Sequence, residues 1–398
     1  MSETIFEGSV PRLVAFITDK IRKPEDKKSL WAGIKRDYND FLCEVLGVNP
    51  EWGLKAGNLI GFDIDFDRQL ILLNYSPSAH NLLHEIDGGW TPVLKQLRGL
   101  VVSYEKPGQF EGIKLASRGF EKFFNHWELP ETSQEELSKF TKGRTVFCTR
   151  KEDGHMIEYF MHQKKLSATT RGRLETPSGV ASLDMLTRPQ FIKAASIANL
   201  LDSDLMTLVC EFVHPTTEVH VDYEGAKKIY LLEAYDGRGR PVSYDVLARI
   251  ASEMPDVFHL PEARWMTVDE LHAEINDRSV ENCEGWVAQV AGVTNGPRRI
   301  KYKYINYIGR MVKSKLGYKY LMNCIKNDRL DMMLITLPEE LRATAYDMVN
   351  EVLQKLGEGQ HGDDGYKTLY NLYSPAEGGV DYFRTVCRGF YRSQTARA

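Results

Sequence analysis

Lys151-Glu152-Asp153-Gly154 sets a primary amine two residues from a carboxylate and three from a glycine, inside a strand-like run from Thr145 to Phe160. An amine attacks phosphorus only when neutral, and a lysine near its ordinary pKa of about 10.4 supplies little of that form at neutral pH. Cations beside it favour the neutral form by like-charge repulsion. Lys301 and Lys303, in Ile300-Lys301-Tyr302-Lys303, are the candidates, and they can also draw charge off phosphate oxygens. Gly154 lets the backbone approach a nucleotide closely. The chemistry implied is covalent nucleotidyl transfer.

Taken alone, Lys-x-Asp-Gly recurs by chance in exposed turns, so the ordered series around it carries the reading. Glu211-Phe212-Val213 closes an apolar run from Leu205, Glu284-Gly285-Trp286-Val287 opens another, and Lys301 and Lys303 share one face of an alternating strand. Two carboxylates and two lysines, each delivered by a strand, suit a triphosphate carrying Mg²⁺.

With these residues in place the chain resembles the covalent nucleotidyltransferase superfamily of ligases and capping enzymes. More closely, it resembles the phage-type RNA ligase 1 family, the ATP-dependent enzymes of tRNA repair. The closer likeness rests on Arg98-Gly99, on Ala116-Ser117-Arg118-Gly119-Phe120-Glu121-Lys122-Phe123-Phe124-Asn125, and on the spacing from Lys303 to Tyr307, and it covers Gln69 to Tyr307. The resemblance implies that Lys151 carries AMP as a phosphoramidate, that Gly154 lies against the ribose and that Glu152 lies near the adenine. It further implies that Glu211 contacts ribose or the metal shell. Glu284, read as an exposed strand-end carboxylate, is the stronger ligand for Mg²⁺, with Mn²⁺ as the alternative. Arg98 and Lys122 correspond to cations on the β and γ phosphates, and Phe124 to a cover for the adenine. Arg171 stands where a lysine is expected, keeping charge with different geometry. Tyr307 matches a tyrosine needed for ligation, and Tyr75 one near the triphosphate. The acidic pair that the family places farther on is matched only by Asp328 and Asp331, which are not adjacent, so no second metal site is assigned.

The elements that must position these groups fall into three stretches. In residues 1–60, apolar residues after Ser29 recur at Trp31, Ile34, Tyr38, Phe41, Leu42 and Val45, and Gly47 closes a core-facing helix. Residues 61–308 alternate short β-rich runs, such as Leu70–Tyr75, Leu100–Tyr104, Ile229–Leu232 and Val287–Val290, with helical patterns such as Pro189–Leu201. This is an α+β nucleotidyltransferase domain (ATP-grasp-like ligase) of antiparallel sheets with helices, and a cleft between two sheets is its natural nucleotide site. Residues 309–398 read as a small all-helical domain for RNA choice, with a stripe from Leu341 to Leu356 and with Arg384, Arg388 and Arg392 spaced for one basic helix face. DNA ligases and mRNA guanylyltransferases usually carry a five-stranded barrel there, whose pattern is missing. An inactive RNA-binding relative is disfavoured by the intact set Lys151, Glu211, Glu284, Lys301 and Lys303.

A chain of 398 residues with net charge −4 does not coat nucleic acid indiscriminately, so RNA must be held by local basic surfaces. The expected partner is RNA, a tRNA with a broken anticodon loop above all, and the expected state a monomer. The 6 cysteines lie far apart without a C-x-x-C pair and read as reduced core residues. An acidic start and the lack of an apolar run of about 18 residues suggest a soluble cytoplasmic protein, in the host cytoplasm if phage-encoded.

Overall fold

The apolar spacing that reads as one helix after Ser29 folds as two. In the computed structural model the chain opens with α1 (Ser2–Lys20), α2 (Pro24–Asp37) and α3 (Asn39–Leu46). Tyr38, at φ −121° and ψ 27°, breaks the helix between α2 and α3, and Gly47 caps α3 in the left-handed region at φ 67°. The break lets both segments turn an apolar face inward, Ile34 from α2 and Leu42, Cys43, Val45 and Leu46 from α3.

Residues 2–315 are described here apart from 84, 85, 87, 201–205, 218 and 291–297, together with 337, 341 and 345. The chain divides into two compact units, Met1–Tyr304 and Ile305–Ala398. The first unit holds β1 (Ile60–Asp65), β2 (Leu70–Tyr75), β3 (Arg98–Ser103), β4 (Lys114–Ser117), β5 (Phe124–Asn125), β6 (Val146–Lys151) and β7 (His155–His162). After these come β8 (Lys165–Thr170), β9 (Thr207–Val213), β10 (Lys228–Tyr235), β11 (Ala263–Met266), β12 (Gly285–Val290) and β13 (Arg298–Lys303). They form three sheets, ordered β1-β2-β3-β4, β10-β9-β7-β8 and β11-β6-β12-β13-β5, antiparallel except for the pairing of β13 with β5.

Sheet one packs against α1 to α3. Leu13, Ile17, Leu42, Leu46, Ile71, Leu73 and Val102 share a single buried cluster, so the N-terminal helices are part of this unit's core. Sheet two buries Ile157, Tyr159, Leu208, Cys210 and Phe212 against the helices Arg188–Ile197 and Tyr244–Glu253. Its opposite face, with Met156 and Glu211, lines a cavity shared with sheet three. Alternation divides sheet three in the same way: Cys148, Trp286, Ala288, Ile300 and Tyr302 are buried, while Thr149, Lys151, Val287, Gln289, Arg299, Lys301 and Lys303 line the cavity. The expected cleft between two sheets is therefore present.

The run from Thr145 to Phe160 is not one strand. It ends in sheet three with Lys151 and restarts in sheet two with His155, so Glu152, Asp153 and Gly154 form the corner where the chain changes sheets. Gly154 is needed at that corner, because a Cβ there would lie 2.6 Å from the carbonyl oxygen of Phe212.

In the second unit the helix Ile305–Lys315 is described, and Leu341 and Ala345 are helical and buried. The rest of the Leu341 to Leu356 stripe, Asp328, Asp331, Arg384, Arg388 and Arg392 lie outside the described residues. Among the described residues no helix is long and apolar enough to cross a membrane.

Because Leu42 is fully buried in the cluster shared with sheet one, Leu42→Ala should cost about 2–5 kcal/mol. Urea denaturation followed by tryptophan fluorescence should show this as a lower midpoint of one cooperative transition. A separate early transition, leaving the rest of the unit untouched, would mean that the helices do not belong to that core.

Candidate active site

Pairing of β6 with β12 and of β12 with β13 sets Lys151, Gly285 and Lys303 side by side in one row. The central position has no room for a side chain, since a Cβ on Gly285 would fall 1.9 Å from the carbonyl oxygen of Tyr302. The carboxylate of the preceding residue reaches the lysines on both sides. Glu284 accepts from Lys151 Nζ at 2.8 Å and from Lys303 Nζ at 3.0 Å. It is only 4% exposed, which corrects its reading as an exposed strand end. Burial works to raise its pKa, but the Lys151 and Lys303 ammoniums outweigh this and hold it below the ordinary carboxylate value. The lysines thus do not simply repel each other; they share an anion.

Glu211 approaches from β9 in sheet two, in register with Met156 and Tyr230. Its Oε1 accepts the backbone N–H of Gly154 at 3.0 Å, which ties sheet two to the corner. Burial pushes its pKa up to about 7, with Lys151 opposing the rise and Glu284 adding to it. Glu152 is likewise raised, chiefly by burial, although its Oε2 accepts from the Tyr223 hydroxyl at 2.9 Å.

Arg98 and Arg171 join the lysines on the cavity wall, Arg98 with its guanidinium 5.4 Å from the centre of the Phe123 ring. Arg171 Nη1 donates to the Tyr75 hydroxyl at 2.9 Å, so Tyr75 acts behind the wall rather than on it. Lys122, 5% exposed, also sits behind the wall, with its ammonium 4.7 Å from the Phe124 ring centre, 5.4 Å from Trp90 and 5.7 Å from Tyr75. Phe124 does not face the cavity. It belongs to the core of sheet one, and Phe120 and Phe123 line the cavity instead. Tyr307 lies in the second unit, with the Arg310 guanidinium 5.9 Å over its ring.

Some residues of this site carry no motif that marks them. Arg299 continues the cationic face of Lys301 and Lys303 and pairs with buried Glu233 at 2.6 Å, joining sheets three and two. Glu158 has no exposed surface, and burial pushes its pKa up to about 8 while Ser117 Oγ donates to Oε2 at 2.7 Å. A Cβ on Gly99 would lie 2.7 Å, and one on Gly119 2.3 Å, from Glu158 Oε1. The repeated Arg-Gly of Arg98-Gly99 and Arg118-Gly119 is the one sequence signal that points to such a close neighbour.

The cavity has a volume of about 1050 Å³. Its cations Arg98, Lys151, Arg171, Lys301 and Lys303 face a lining that also includes Leu231, Val242, Tyr244, Leu247 and Val287. Tyr244 rests on Phe147, with ring centres 4.8 Å apart, so the apolar part lies down β6 from Lys151. Cations beside an apolar wall fit a ligand with phosphates on one part and a flat base on another. Glu211 and Glu284 are hard oxygen donors beside those cations. Among the described residues no group of three or more His, Cys, Asp or Glu gathers, so a divalent ion here needs phosphate oxygens and water to complete its shell.

Comparison with known proteins agrees with this chemistry. A family described as RNA ligase matches residues 96–307. A protein of Thermovibrio ammonificans, provisionally named an RNA ligase, is 30% identical over 200 residues, covering 50% of this chain and 48% of that one. The chain thus spans about half the length of that relative. Among solved structures, an archaeal ATP-dependent RNA ligase superposes at TM-score 0.46 with 14% identity, covering 83% of this chain and 77% of that one. An RNA ligase of Naegleria gruberi with AMP and Mn superposes at 0.33 with 15% identity, covering 44% and 55%.

Because the pKa of Glu211 is raised from 4.5 to about 7, its contribution to stability is complete below 4.5 and is lost as pH rises through 7. Glu211→Gln does not titrate there. Relative to wild type it should gain stability between about pH 5 and 8, by up to roughly 3 kcal/mol. Urea denaturation across that range, without nucleotide or metal, reads the difference. A constant difference would show that Glu211 does not titrate as the burial implies.

Proposed function

This chain belongs to the phage-type RNA ligase 1 family, and from that premise we propose that it joins RNA ends at the expense of ATP. Lys151 attacks the α-phosphorus of ATP, forming a nitrogen–phosphorus bond and releasing pyrophosphate, while the amine loses its proton. The AMP passes to the 5′-phosphate of an RNA end, freeing Lys151, and a 3′-hydroxyl then displaces AMP to form the phosphodiester. The observation that carries this reading is the row Lys151–Gly285–Lys303 with Glu284 between its lysines, set against a cavity lined by further cations.

Each residue has a task in that sequence. Glu284 neutralises Lys151 and Lys303, and phosphate oxygens arriving in the cavity compete for the same ammoniums. Lys301 and Lys303 face the cavity together and stabilise charge on the phosphate as the bond forms and breaks. Arg98 and Arg171 hold the outer phosphates. Lys122 and Tyr75 support them from behind the wall, where Arg171 meets the Tyr75 hydroxyl. Glu152 and Gly154 border the nucleoside. Glu211 and Glu284 would hold a divalent ion, Mg²⁺ or Mn²⁺, which when bound neutralises charge on the phosphate oxygens.

We assign nucleotidyl transfer to residues 61–308, with the helices of residues 1–60 as its structural support, and RNA choice to residues 309–398. The substrate class is RNA bearing a 5′-phosphate and a 3′-hydroxyl, and a tRNA nicked in its anticodon loop is the natural test substrate.

Incubation with α-labelled ATP should label the protein covalently, and Lys151→Ala should lower labelling and sealing by at least about a hundredfold. The same variant should still join a preadenylated strand slowly, because the amine carries AMP only up to that point. Undiminished label in Lys151→Ala would overturn the assignment.

Arg98→Ala separates the steps. Reaction with ATP should fall at least about tenfold, whereas joining of preadenylated RNA, from which the outer phosphates are gone, should fall far less. Equal losses in both assays would place Arg98 elsewhere in the mechanism.

A further inference from the structure

The turn that carries Lys151 is fastened by a loop from another sheet. Between β9 and β10 the chain passes over the corner between β6 and β7, and there Asp153 Oδ2 accepts the backbone N–H groups of His220 at 2.6 Å and Val221 at 3.0 Å. Tyr223 closes the arrangement. Its hydroxyl oxygen accepts the N–H of Asp153 at 2.8 Å, and the hydroxyl donates to Glu152 Oε2 at 2.9 Å. Both hydrogen-bonding functions of that hydroxyl are therefore used on the two residues that follow Lys151.

The same loop also reaches the strand opening that holds Glu284. Asn282 accepts the N–H of Asp222 at Oδ1, 2.8 Å, and donates through Nδ2 to the carbonyl of Asp222, 2.7 Å. Two residues later comes Glu284, whose carbonyl oxygen accepts the N–H of Tyr304 at 3.0 Å. Residues 220–223 thus bind the segment behind the nucleophile and the segment behind its carboxylate partner. Asp153, Tyr223 and Asn282 do not line the 1050 Å³ cavity, while Tyr223 and Asn282 border a smaller one of about 340 Å³ that also reaches Lys151, Glu152 and Glu284.

We propose that residues 220–223 are a clamp that fixes Lys151 against Glu284, and that Asp153, Tyr223 and Asn282 are positioning residues for adenylylation of the lysine. The inference rests on the ligase reading above and deepens it. Asp153 has one carboxylate oxygen, Oδ2, committed to two backbone N–H groups, so it acts as a hydrogen-bond acceptor for the loop. Aligning the amine with phosphorus is worth a large rate factor, because small misplacements of a reacting group are costly. The clamp acts on that alignment, and its one bond to a residue bordering the nucleoside is that of Tyr223 to Glu152.

The test is single-turnover transfer of label from α-labelled ATP to the full-length protein, measured over a range of ATP concentrations. Tyr223→Phe keeps the ring and removes only the hydroxyl. Its rate at saturating ATP should fall about tenfold, while the ATP concentration giving half the maximal rate moves less than about twofold. Asn282→Ala should behave in the same way. Asp153→Ala should lose about a hundredfold, and Asp153→Asn should recover most of that, because its amide oxygen still accepts from both N–H groups. If Asp153→Asn is as slow as Asp153→Ala, the charge matters and the clamp is overturned. A Tyr223→Phe variant with an unchanged maximal rate, or with only its half-saturating ATP raised, overturns it as well. These results are separable from failure of the ligase reading: a wild-type protein that takes no label overturns that reading, whereas normal wild-type labelling with an indifferent Tyr223→Phe overturns the clamp alone. Should Asp153→Ala not fold, Tyr223→Phe and Asp153→Asn decide the matter.

Discussion

The buried carboxylate of Glu284 between two ammoniums is the constraint around which the rest of the first unit is arranged. A carboxylate at 4% exposure is costly unless it is paired, and removal of either lysine would leave an under-compensated charge inside the protein. Three strands must therefore hold one register, because a slip of a single residue would turn one of the lysines to the opposite face. Gly285 follows from the same demand: a side chain in the middle of the row would strike the backbone of β13.

Around that pair the carboxylates are driven in opposite directions by their surroundings. Glu284 is held low by its lysines, while Glu211 and Glu158 are pushed up to about 7 and about 8 by burial. Acids within one cavity wall and its backing thus differ in their readiness to carry charge near neutral pH. Cohesion between the sheets comes from polar contacts as well as from apolar packing, through Glu211 with the Gly154 amide and Glu233 with Arg299.

Strand periodicity made much of this legible in the sequence. Lys151, Lys301 and Lys303 face one cavity because alternate residues share a face, a property that local sequence states directly. The antiparallel α+β architecture was legible for the same reason. Phe124 shows where the reading stops: with Phe120, Phe123 and Phe124 so close together, sequence alone does not say which ring the sheet turns toward the cavity and which it turns toward the core. The break at Tyr38 was hidden because apolar periodicity continues across it, whereas the change of sheet at Glu152 to Gly154 falls in a polar stretch whose Asp-Gly was read for its chemistry and not as a corner. Tyr223, Glu158 and the Glu233–Arg299 pair were illegible in a stronger sense, since their partners are distant in sequence and only the folded chain brings them together.

The crowding of Glu158 by Gly99 and Gly119 bears on how this sequence can drift. A methyl group at either glycine meets the same carboxylate oxygen, and that oxygen has no hydrogen-bond partner among the described residues that would fix it elsewhere. Three positions far apart in the chain therefore form one steric unit, and their substitutions cannot be additive. A lineage that shortens the acid first opens space in which Gly119 can gain a side chain, whereas a lineage that changes Gly119 first must pass through a clash; Gly99, at φ 84°, is strained by a side chain in either order. The order of mutational steps, and not only their sum, is written into this corner of the fold.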